Sequence, residues 1–173
     1  MKDSDLRLER LDVRHDVDRF SSGRSELDDW LKRHSLAAQQ MDSARTFVAL
    51  RSGSIIGYFS LTMGSVLRDE APKRLVRGMP SYPVPLVLIA RLAVDLREQG
   101  KGLGTRLLAD ALRMAVSAGE AAAARLVVVD AIDERAANFY RRHGFIVELD
   151  HPLRLWRRMK DVRASLDDAL AAP

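Results

Sequence analysis

The chain contains no cysteine, which excludes disulfides, a thiol nucleophile and thiolate metal ligands. The few histidines have no metal-ligand spacing, so no metal site is expected; they are His15, His34, His143 and His151. No apolar run approaches the length of a membrane span, and the opening residues MKDSDLRLER are too charged for a secretory signal peptide. These absences predict a soluble, cytoplasmic protein.

Charge of either sign is not in large excess. The chain has 28 Lys and Arg against 24 Asp and Glu, and its net charge of +4 permits a polyanionic partner without requiring one. A length of 173 residues with 47% hydrophobic content predicts a single domain, residues 1–160, with ample core. Residues 161–173 are polar and alanine-rich, and are expected to form a frayed helix or a disordered C-terminal tail.

Glycine is also sparse, yet three of the 10 glycines, Gly100, Gly102 and Gly104, fall within five positions. An apolar strand at residues 86–94 precedes them, and a helix with apolar positions from Leu103 onward follows. This arrangement presents free backbone N–H groups to an anion, although glycine-rich turns also serve plain packing. A Walker loop is excluded because Gly102, not Ser or Thr, follows Lys101, and the spacing differs from a Rossmann fingerprint.

The remaining pattern predicts alternating strands and helices around this turn. Before it we expect a strand at 6–13, a helix capped by Ser25 that ends near Met41, a hairpin of strands at 46–51 and 54–66, and a long loop at 67–85. After it we expect Gly119 to close the central helix, a strand at 125–131, a helix from about 134 that ends at Gly144, and strands at 145–149 and 153–159.

Two motifs resemble those of the GNAT acetyltransferases. The first is Gln-x-x-Gly-x-Gly, at Gln99, Gly102 and Gly104, after the strand Ala-Arg-Leu-Ala-Val at 90–94. The second, Ala-x-x-Phe-Tyr-x-x-x-Gly-Phe, occupies 136–145. The resemblance implies an α/β GNAT fold with a mixed, mostly antiparallel sheet flanked by helices. It also implies that the protein uses acetyl-CoA.

The N-terminal half resembles the GNAT toxins of bacterial toxin–antitoxin systems, and the resemblance extends over residues 20–159. Its motifs are Phe20-x-x-Gly23-x-x-x-Leu27-Asp28-x-Trp30-Leu31, Arg45-Thr46-Phe47-Val48, Gly57-Tyr58-Phe59-Ser60-Leu61 and Ala90-Arg91-Leu92-Ala93-Val94-Asp95. The resemblance implies transfer of acetyl to the α-amino group of aminoacyl-tRNA, which blocks translation. It further implies a small ribbon-helix-helix antitoxin as partner. We also expect a homodimer.

The resemblance assigns cofactor contacts to the first motif and to the strand before it. Backbone amides of the turn would bind the pyrophosphate, and the strand would pair with the pantetheine arm. The second motif of the family often opens with asparagine where this chain has Asp133, so Asn138 is the candidate there. The cofactor-binding candidates are Leu92, Ala93, Val94, Gln99, Gly100, Lys101, Gly102, Leu103, Gly104, Thr105 and Asn138.

Tyr140 is the catalytic candidate that the second motif implies. Its hydroxyl would protonate the sulfur of departing coenzyme A, for which a phenol of pKa ~10 suffices. The alternative is a packed core tyrosine whose hydroxyl has found a partner. No paired carboxylate or histidine base stands out, which mildly favours an α-amine acceptor, since its pKa of ~7.7–8.0 leaves part of it neutral at cellular pH.

Basic residues near these motifs are candidates for contact with tRNA. Arg91 interrupts an apolar strand, so we expect either an ion pair with Asp95 or Asp130 or a substrate role. The others are Lys73, Arg74 and Arg77 in the long loop, and Arg141 and Arg142 beside Tyr140. Their alternative is ordinary solvation. Trp156 could stack on a base, but packing is favoured.

Two other functions stay open. One is a GNAT enzyme that acetylates a small amine or a protein. The other is a module that binds acyl-CoA without turnover, which the complete glycine turn and the retained Tyr140 disfavour.

Overall fold

The structure of the protein is a computed structural model that describes residues 5–171. Within these residues the seven strands follow one another in the order that the sequence predicts, with six helices among them. In chain order they are β1 (Arg7–Arg10), α1 (Ser25–Arg33), α2 (Ser35–Gln40), β2 (Arg45–Arg51), β3 (Ser54–Val66), α3 (Lys73–Val76), β4 (Val84–Val94), α4 (Leu103–Ala122), β5 (Leu126–Asp130), α5 (Glu134–Arg142), β6 (Ile146–Glu148), β7 (His151–Arg158) and α6 (Met159–Ala171).

The strands form a seven-stranded mixed sheet in the order β1-β2-β3-β4-β5-β7-β6. The β4–β5 pair is parallel, whereas β1–β2, β2–β3, β5–β7 and β6–β7 are antiparallel. The predicted fold class is therefore confirmed. The chain divides into two compact units. The first runs up to Thr62 and takes in Ala90–Ala111, and the second takes in Met63–Ile89 and the chain from Leu112 onward.

The first unit is built on the predicted hairpin. Strands β2 and β3 pair in the register Phe47↔Phe59, and the turn between them contains Gly53 at φ +78°. Alternate strand residues point to one side, and α1 presents residues spaced three and four apart to the same core. The buried cluster that results contains Leu11, Phe20, Leu31, Val48, Leu50, Ile55, Tyr58 and Ala93.

The start of α1 differs from the prediction. Its N-cap is Arg24, whose side chain does not cap the helix, so Ser25 is already helical and the predicted Ser25 cap is wrong. Asp28 holds the preceding turn instead, because its Oδ1 accepts hydrogen bonds from the backbone N–H (2.8 Å) and hydroxyl (2.7 Å) of Ser22. The helical stretch is also interrupted at His34, which caps both α1 and α2.

The second unit surrounds β5, whose residues 126–129 are fully buried between β4 and β7. Such a two-sided burial explains why Leu-Val-Val-Val reads as an uninterrupted apolar run. The predicted loop at 67–85 is partly ordered: a 3₁₀ turn covers Arg68–Glu70, and α3 follows Pro72. Ala71 and Val76 explain that order, because both are buried in the same core.

One prediction about a helix end in this unit is wrong. Gly119 does not close α4, which continues to Ala122 and is followed by Ala123 at φ +62°. Gly119 is needed for close approach, since a Cβ there would lie 2.9 Å from Met159 Cε. Of the two alternatives expected for the tail, the structure has the helix: α6 is continuous through Ala171, with Met159 and Val162 buried. Residues 172 and 173 lie outside the described part. Gly144, at φ +86°, follows α5 as predicted.

A bilayer could not be spanned by any helix within residues 5–171, since none is long and apolar enough.

Candidate active site

The glycine turn has the geometry that anion binding requires. Gly100 and Gly102 adopt φ of +75° and +85°, in the left-handed region that disfavours side chains. A Cβ on either would meet no heavy atom within 4 Å. Packing therefore does not explain these glycines, and the space that a side chain would occupy is open to a ligand.

Helix α4 adds backbone donors to this turn. The helix has 20 residues and starts at Leu103, and the Arg106 N–H donates to the Gly102 carbonyl (3.2 Å). The amides of Leu103, Gly104 and Thr105 precede that first bond, so they have no carbonyl one turn back and are free to bind an anion. The positive end of the helix dipole strengthens the attraction. These residues fit the pyrophosphate of acetyl-CoA.

Side chains beside the turn hold it rather than extend into the open space. Gln99 Nε2 donates to the carbonyls of Ser22 (2.8 Å) and Val94 (3.0 Å), and Lys101 Nζ donates to the Arg97 carbonyl (2.7 Å). Buried Asp95 accepts from Arg97 Nε at 2.8 Å. Burial alone would raise the pKa of Asp95, but the hydrogen bonds from Arg97 and Ser21 outweigh it and lower that pKa.

Strand β4 leaves its parallel partner before it ends. The ladder with β5 stops at Ile89, and β4 continues for residues 90–94 in the first unit. Ala93 is buried there, while Leu92 and Val94 are half-buried. Gly57 on β3 permits this packing, because a Cβ would lie 3.1 Å from the Ala93 carbonyl oxygen and 2.6 Å from Leu107. Sequence reasoning missed this role of Gly57.

Arg91 makes neither of the predicted ion pairs. Asp95 pairs with Arg97, and Asp130 pairs with Arg154 at 2.6 Å. The guanidinium of Arg91 instead lies 4.4 Å from the ring centroid of Trp30. A cation on an indole ring is stabilised by the ring quadrupole, and this contact replaces the carboxylate that the sequence predicted.

Trp30 connects Arg91 to the core of the first unit. Its ring stacks on Tyr58, with centroids 6.1 Å apart, and the Tyr58 hydroxyl donates to the Leu27 carbonyl at 2.7 Å. Burial lowers the pKa of Arg91 and raises that of Tyr58. Arg91 has no hydrogen bond or ion pair with residues 5–171, so its N–H groups are free for a ligand.

Tyr140 lies in the last turn of α5 in the second unit and is 5% exposed. Its ring makes edge contacts with Phe139 (5.1 Å between centroids) and Phe145 (5.8 Å). Burial raises the pKa of its hydroxyl. Among the described residues this hydroxyl has no hydrogen-bond partner. The alternative of a core tyrosine whose hydroxyl is hydrogen-bonded is therefore not observed. Burial therefore favours the neutral form of the Tyr140 hydroxyl.

Arg157 fastens the end of the helix that carries Tyr140. Its Nη1 donates to the His143 carbonyl (3.1 Å), and its Nη2 donates to Ser165 Oγ on α6. A Cβ on Gly144 would lie 3.1 Å from the Arg157 guanidinium carbon. Sequence reasoning missed Arg157, because these contacts join residues far apart in the chain.

Other residues of α5 have structural partners. Asp133 caps the helix, with its Oδ1 accepting from the Ala136 N–H at 2.8 Å, which accounts for aspartate at this position. Arg141 donates to Glu134 Oε1 (2.7 Å) and to Asn138 Oδ1, so both tRNA candidate Arg141 and cofactor candidate Asn138 are engaged on the helix surface. Arg142 is exposed.

Two of the predicted basic residues lie beside a cavity of about 660 Å³ in the second unit, hereafter the basic cavity. Lys73, which is on helix α3 like Arg74, is exposed but does not line this cavity. The basic cavity is lined by Arg74, Leu75, Arg77, Met79, Ala124, Arg125, Arg158, Met159, Lys160 and Arg163. Four of its six cations were not predicted. The spacing of Lys160 and Arg163 would have indicated one helix face, had the tail been assigned as helix.

Burial decides between the two roles of Trp156. The residue is 3% exposed and packs in the core of the second unit, so it cannot stack on a base.

Comparison with known proteins extends over nearly the whole chain. The sequence profile of the Acetyltransferase (GNAT) family matches residues 11–145. A Mycobacterium tuberculosis protein named tRNA-acetylating toxin is 42% identical over 159 residues, which cover 92% of this chain and 95% of that protein. These two matches span both the glycine turn and Tyr140.

Solved structures of related proteins have the same fold. AtaT complexed with acetyl-methionyl-tRNAfMet is 28% identical, with a TM-score of 0.84, over 93% of this chain and 99% of that one. A tyrosine-to-phenylalanine mutant of AtaT, bound to the C-terminus of the antitoxin AtaR and acetyl-CoA, is 26% identical with a TM-score of 0.80. That match covers 94% of this chain and 99% of the other.

Proposed function

The chain belongs to the acetyltransferase (GNAT) family, and from this premise we propose that it transfers acetyl from acetyl-CoA to the α-amino group of aminoacyl-tRNA. An acetylated α-amine can no longer attack in peptide-bond formation, so the reaction blocks translation and the protein acts as a toxin. One observation carries this proposal: 42% identity to a tRNA-acetylating toxin over 92% of the chain.

The chain's own residues have separate tasks in binding the donor. Amides from Gly100 to Thr105 bind the pyrophosphate, as the left-handed turn and the free end of α4 support. Residues 92–94 of β4 orient the pantetheine through their backbone groups. Gln99 and Lys101 keep the turn in place through bonds to carbonyls. Asn138 is the remaining cofactor candidate. Acetyl-CoA supplies the acetyl group as a thioester.

Tyr140 is the general acid in this proposal. As the amine nitrogen bonds to the carbonyl carbon and the carbon–sulfur bond breaks, Tyr140 gives its proton to the sulfur. The amine loses its proton to water, and Tyr140 is then reprotonated from solvent. Burial of Tyr140 supports this role, because it favours the neutral form that an acid requires. No covalent enzyme intermediate is needed.

The acceptor is a polyanion, and basic residues of the chain would contact its phosphates. The candidates are Lys73, Arg74, Arg77, Arg91, Arg141 and Arg142. Arg91 has the best-defined geometry among them, since Trp30 fixes its guanidinium while its N–H groups stay free. Phosphate contacts fix the register of the RNA, and the aminoacyl end then meets Tyr140.

The protein also has macromolecular partners in this proposal. An antitoxin neutralises it, and we propose a small ribbon-helix-helix protein for that role. We further propose a homodimer, which the exposed Leu149 and Leu153 around the edge strand β6 support. Charged tRNA as the substrate implies that the protein works in the cytoplasm.

The test is an acetyl-CoA consumption assay with purified protein. We expect release of coenzyme A with charged tRNA, and none above background with uncharged tRNA, free amino acids or polyamines. Release with polyamines or a protein, but not with charged tRNA, would establish the small-amine or protein acetyltransferase instead. Binding of acetyl-CoA without release for any acceptor would identify a binding module.

A further inference from the structure

Most cations of the basic cavity have no carboxylate partner among the described residues. Within that part of the chain only Arg158 has one, Asp161 at 2.8 Å. The side chains of the other five make no hydrogen bond or ion pair with any residue from 5 to 171. They are Arg74, Arg77, Arg125, Lys160 and Arg163. Like charges collected around one concavity repel each other, and an anion bound among them relieves the repulsion.

The backbone beneath these side chains is fixed. The Arg125 N–H donates to the Pro85 carbonyl (2.8 Å), and the Met159 N–H donates to the Arg125 carbonyl (2.9 Å). These bonds join the start of β5 to β4 and to the first residue of α6. The side chains of Arg125 and of the first turn of α6 therefore project from a hydrogen-bonded backbone.

We propose that the basic cavity binds phosphodiesters in the stem of the tRNA substrate, with α6 as the element that completes it. This inference rests on the function proposed above. The cations come from four places in the chain: α3 and its C-cap Arg77, the residue before β5, the end of β7, and α6. They lie around a volume larger than one phosphate group. A backbone with regularly spaced phosphates matches several separated cations better than one small anion does.

The location of the cavity assigns it to the stem rather than to the reacting end. The aromatic side chains in contact with Tyr140 are Phe139 and Phe145, and neither lines the cavity. The aminoacyl end must reach Tyr140 for transfer, and Tyr140 does not line the cavity either, so we assign the cavity to phosphates other than those of the terminal nucleotide. The C-terminal helix is thereby part of substrate binding, through Lys160 and Arg163.

Salt-dependent binding of uncharged tRNA tests the contacts themselves. Each lost phosphate contact should reduce the slope of log K against log [salt] by about 0.9, which is the value per contact for B-DNA and is taken here for the duplex stem of tRNA. We expect the double variant Lys160→Gln, Arg163→Gln to lose nearly two units of slope and Arg125→Gln nearly one. Arg135→Gln removes an exposed charge on α5 outside the cavity, and it should leave the slope unchanged. Wild-type slopes in the cavity variants would overturn the proposal.

A second measurement separates this inference from the proposed function. The double variant and wild type are assayed on full-length charged tRNA and on an aminoacyl trinucleotide of the 3′ end. We expect kcat/KM to fall at least tenfold on full-length tRNA, with no change on the trinucleotide. Equal activity of both proteins on full-length tRNA would overturn the cavity assignment alone. If wild type acetylates neither substrate, the proposed function itself fails.

Discussion

Gly102→Ala is the substitution that examines the cofactor turn most sharply. Gly102 lies at φ +85°, and a Cβ there meets no heavy atom within 4 Å, so alanine causes strain but no clash within the described residues. The added methyl group occupies the space next to the free amides of α4. We therefore expect a protein that folds but binds acetyl-CoA poorly.

The two costs can be estimated separately. A residue with a side chain in the left-handed region costs about 1–2 kcal/mol, which lowers the free energy of unfolding by that amount. A hydrogen bond to a charged group contributes about 1.5–3 kcal/mol. If the methyl group breaks one such bond to the pyrophosphate, the affinity for acetyl-CoA falls roughly 10- to 150-fold.

Gly53→Ala is the matched control. Gly53 has φ +78° and equally open surroundings, but it lies in the β2–β3 hairpin. Isothermal calorimetry with acetyl-CoA and chemical denaturation are run on both variants. We expect both to lose similar stability, and only Gly102→Ala to lose affinity. If Gly102→Ala loses stability in the unfolding curve but binds acetyl-CoA with wild-type affinity, the assignment of the turn to cofactor binding is refuted.

Three further outcomes can be measured on the same protein. Tyr140→Phe should lower kcat about 10²- to 10⁴-fold with unchanged acetyl-CoA affinity, and near-wild-type turnover would make Tyr140 a packing residue. The pH profile of kcat/KM should rise through the acceptor amine at about pH 7.7–8.0 and stay level to about pH 10, because burial raises the pKa of Tyr140; a fall below pH 9 would contradict this. Asp95→Asn should lower the free energy of unfolding by about 1–3 kcal/mol at pH 7. Since folding lowers the pKa of Asp95, this loss of stability should be present above about pH 4 and vanish as the pH falls further. A stability difference between wild type and variant that does not change with pH would contradict this role of Asp95.

The sequence predicted those parts of the fold that depend on local pattern. The β2–β3 hairpin, the strand–turn–helix around Gly102 and the helix that ends before Gly144 follow from residues next to each other in the chain. Turn glycines and apolar periodicity act over a few residues, so one sequence suffices to read them.

Contacts between distant residues explain what the sequence did not predict. Gly119 has the position of a helix terminator in the sequence, but in the structure Met159 packs against it. The order of α6 depends likewise on Met159 and Val162 being buried. Tertiary packing overrode the local signal in each case.

The candidate site also contains residues that the sequence indicated and residues that it did not. Tyr140 and the glycine turn could be identified from the sequence because each lies in a short motif. Arg91 was identified correctly as a residue in need of a partner, but a tryptophan rather than a carboxylate supplies it. Only two of the six cations of the basic cavity were predicted, since they converge from separate parts of the chain between Arg74 and Arg163.

The most direct test of acetyl transfer to aminoacyl-tRNA is mass spectrometry of the terminal nucleoside. Charged tRNA is incubated with acetyl-CoA and the protein, digested with nuclease, and its aminoacyl-adenosine is analysed. We predict acetyl on the α-amino group with wild type, a strongly reduced amount with Tyr140→Phe, and no acetyl on uncharged tRNA. Aminoacyl-adenosine that stays unmodified while wild-type protein consumes acetyl-CoA would contradict the proposed function.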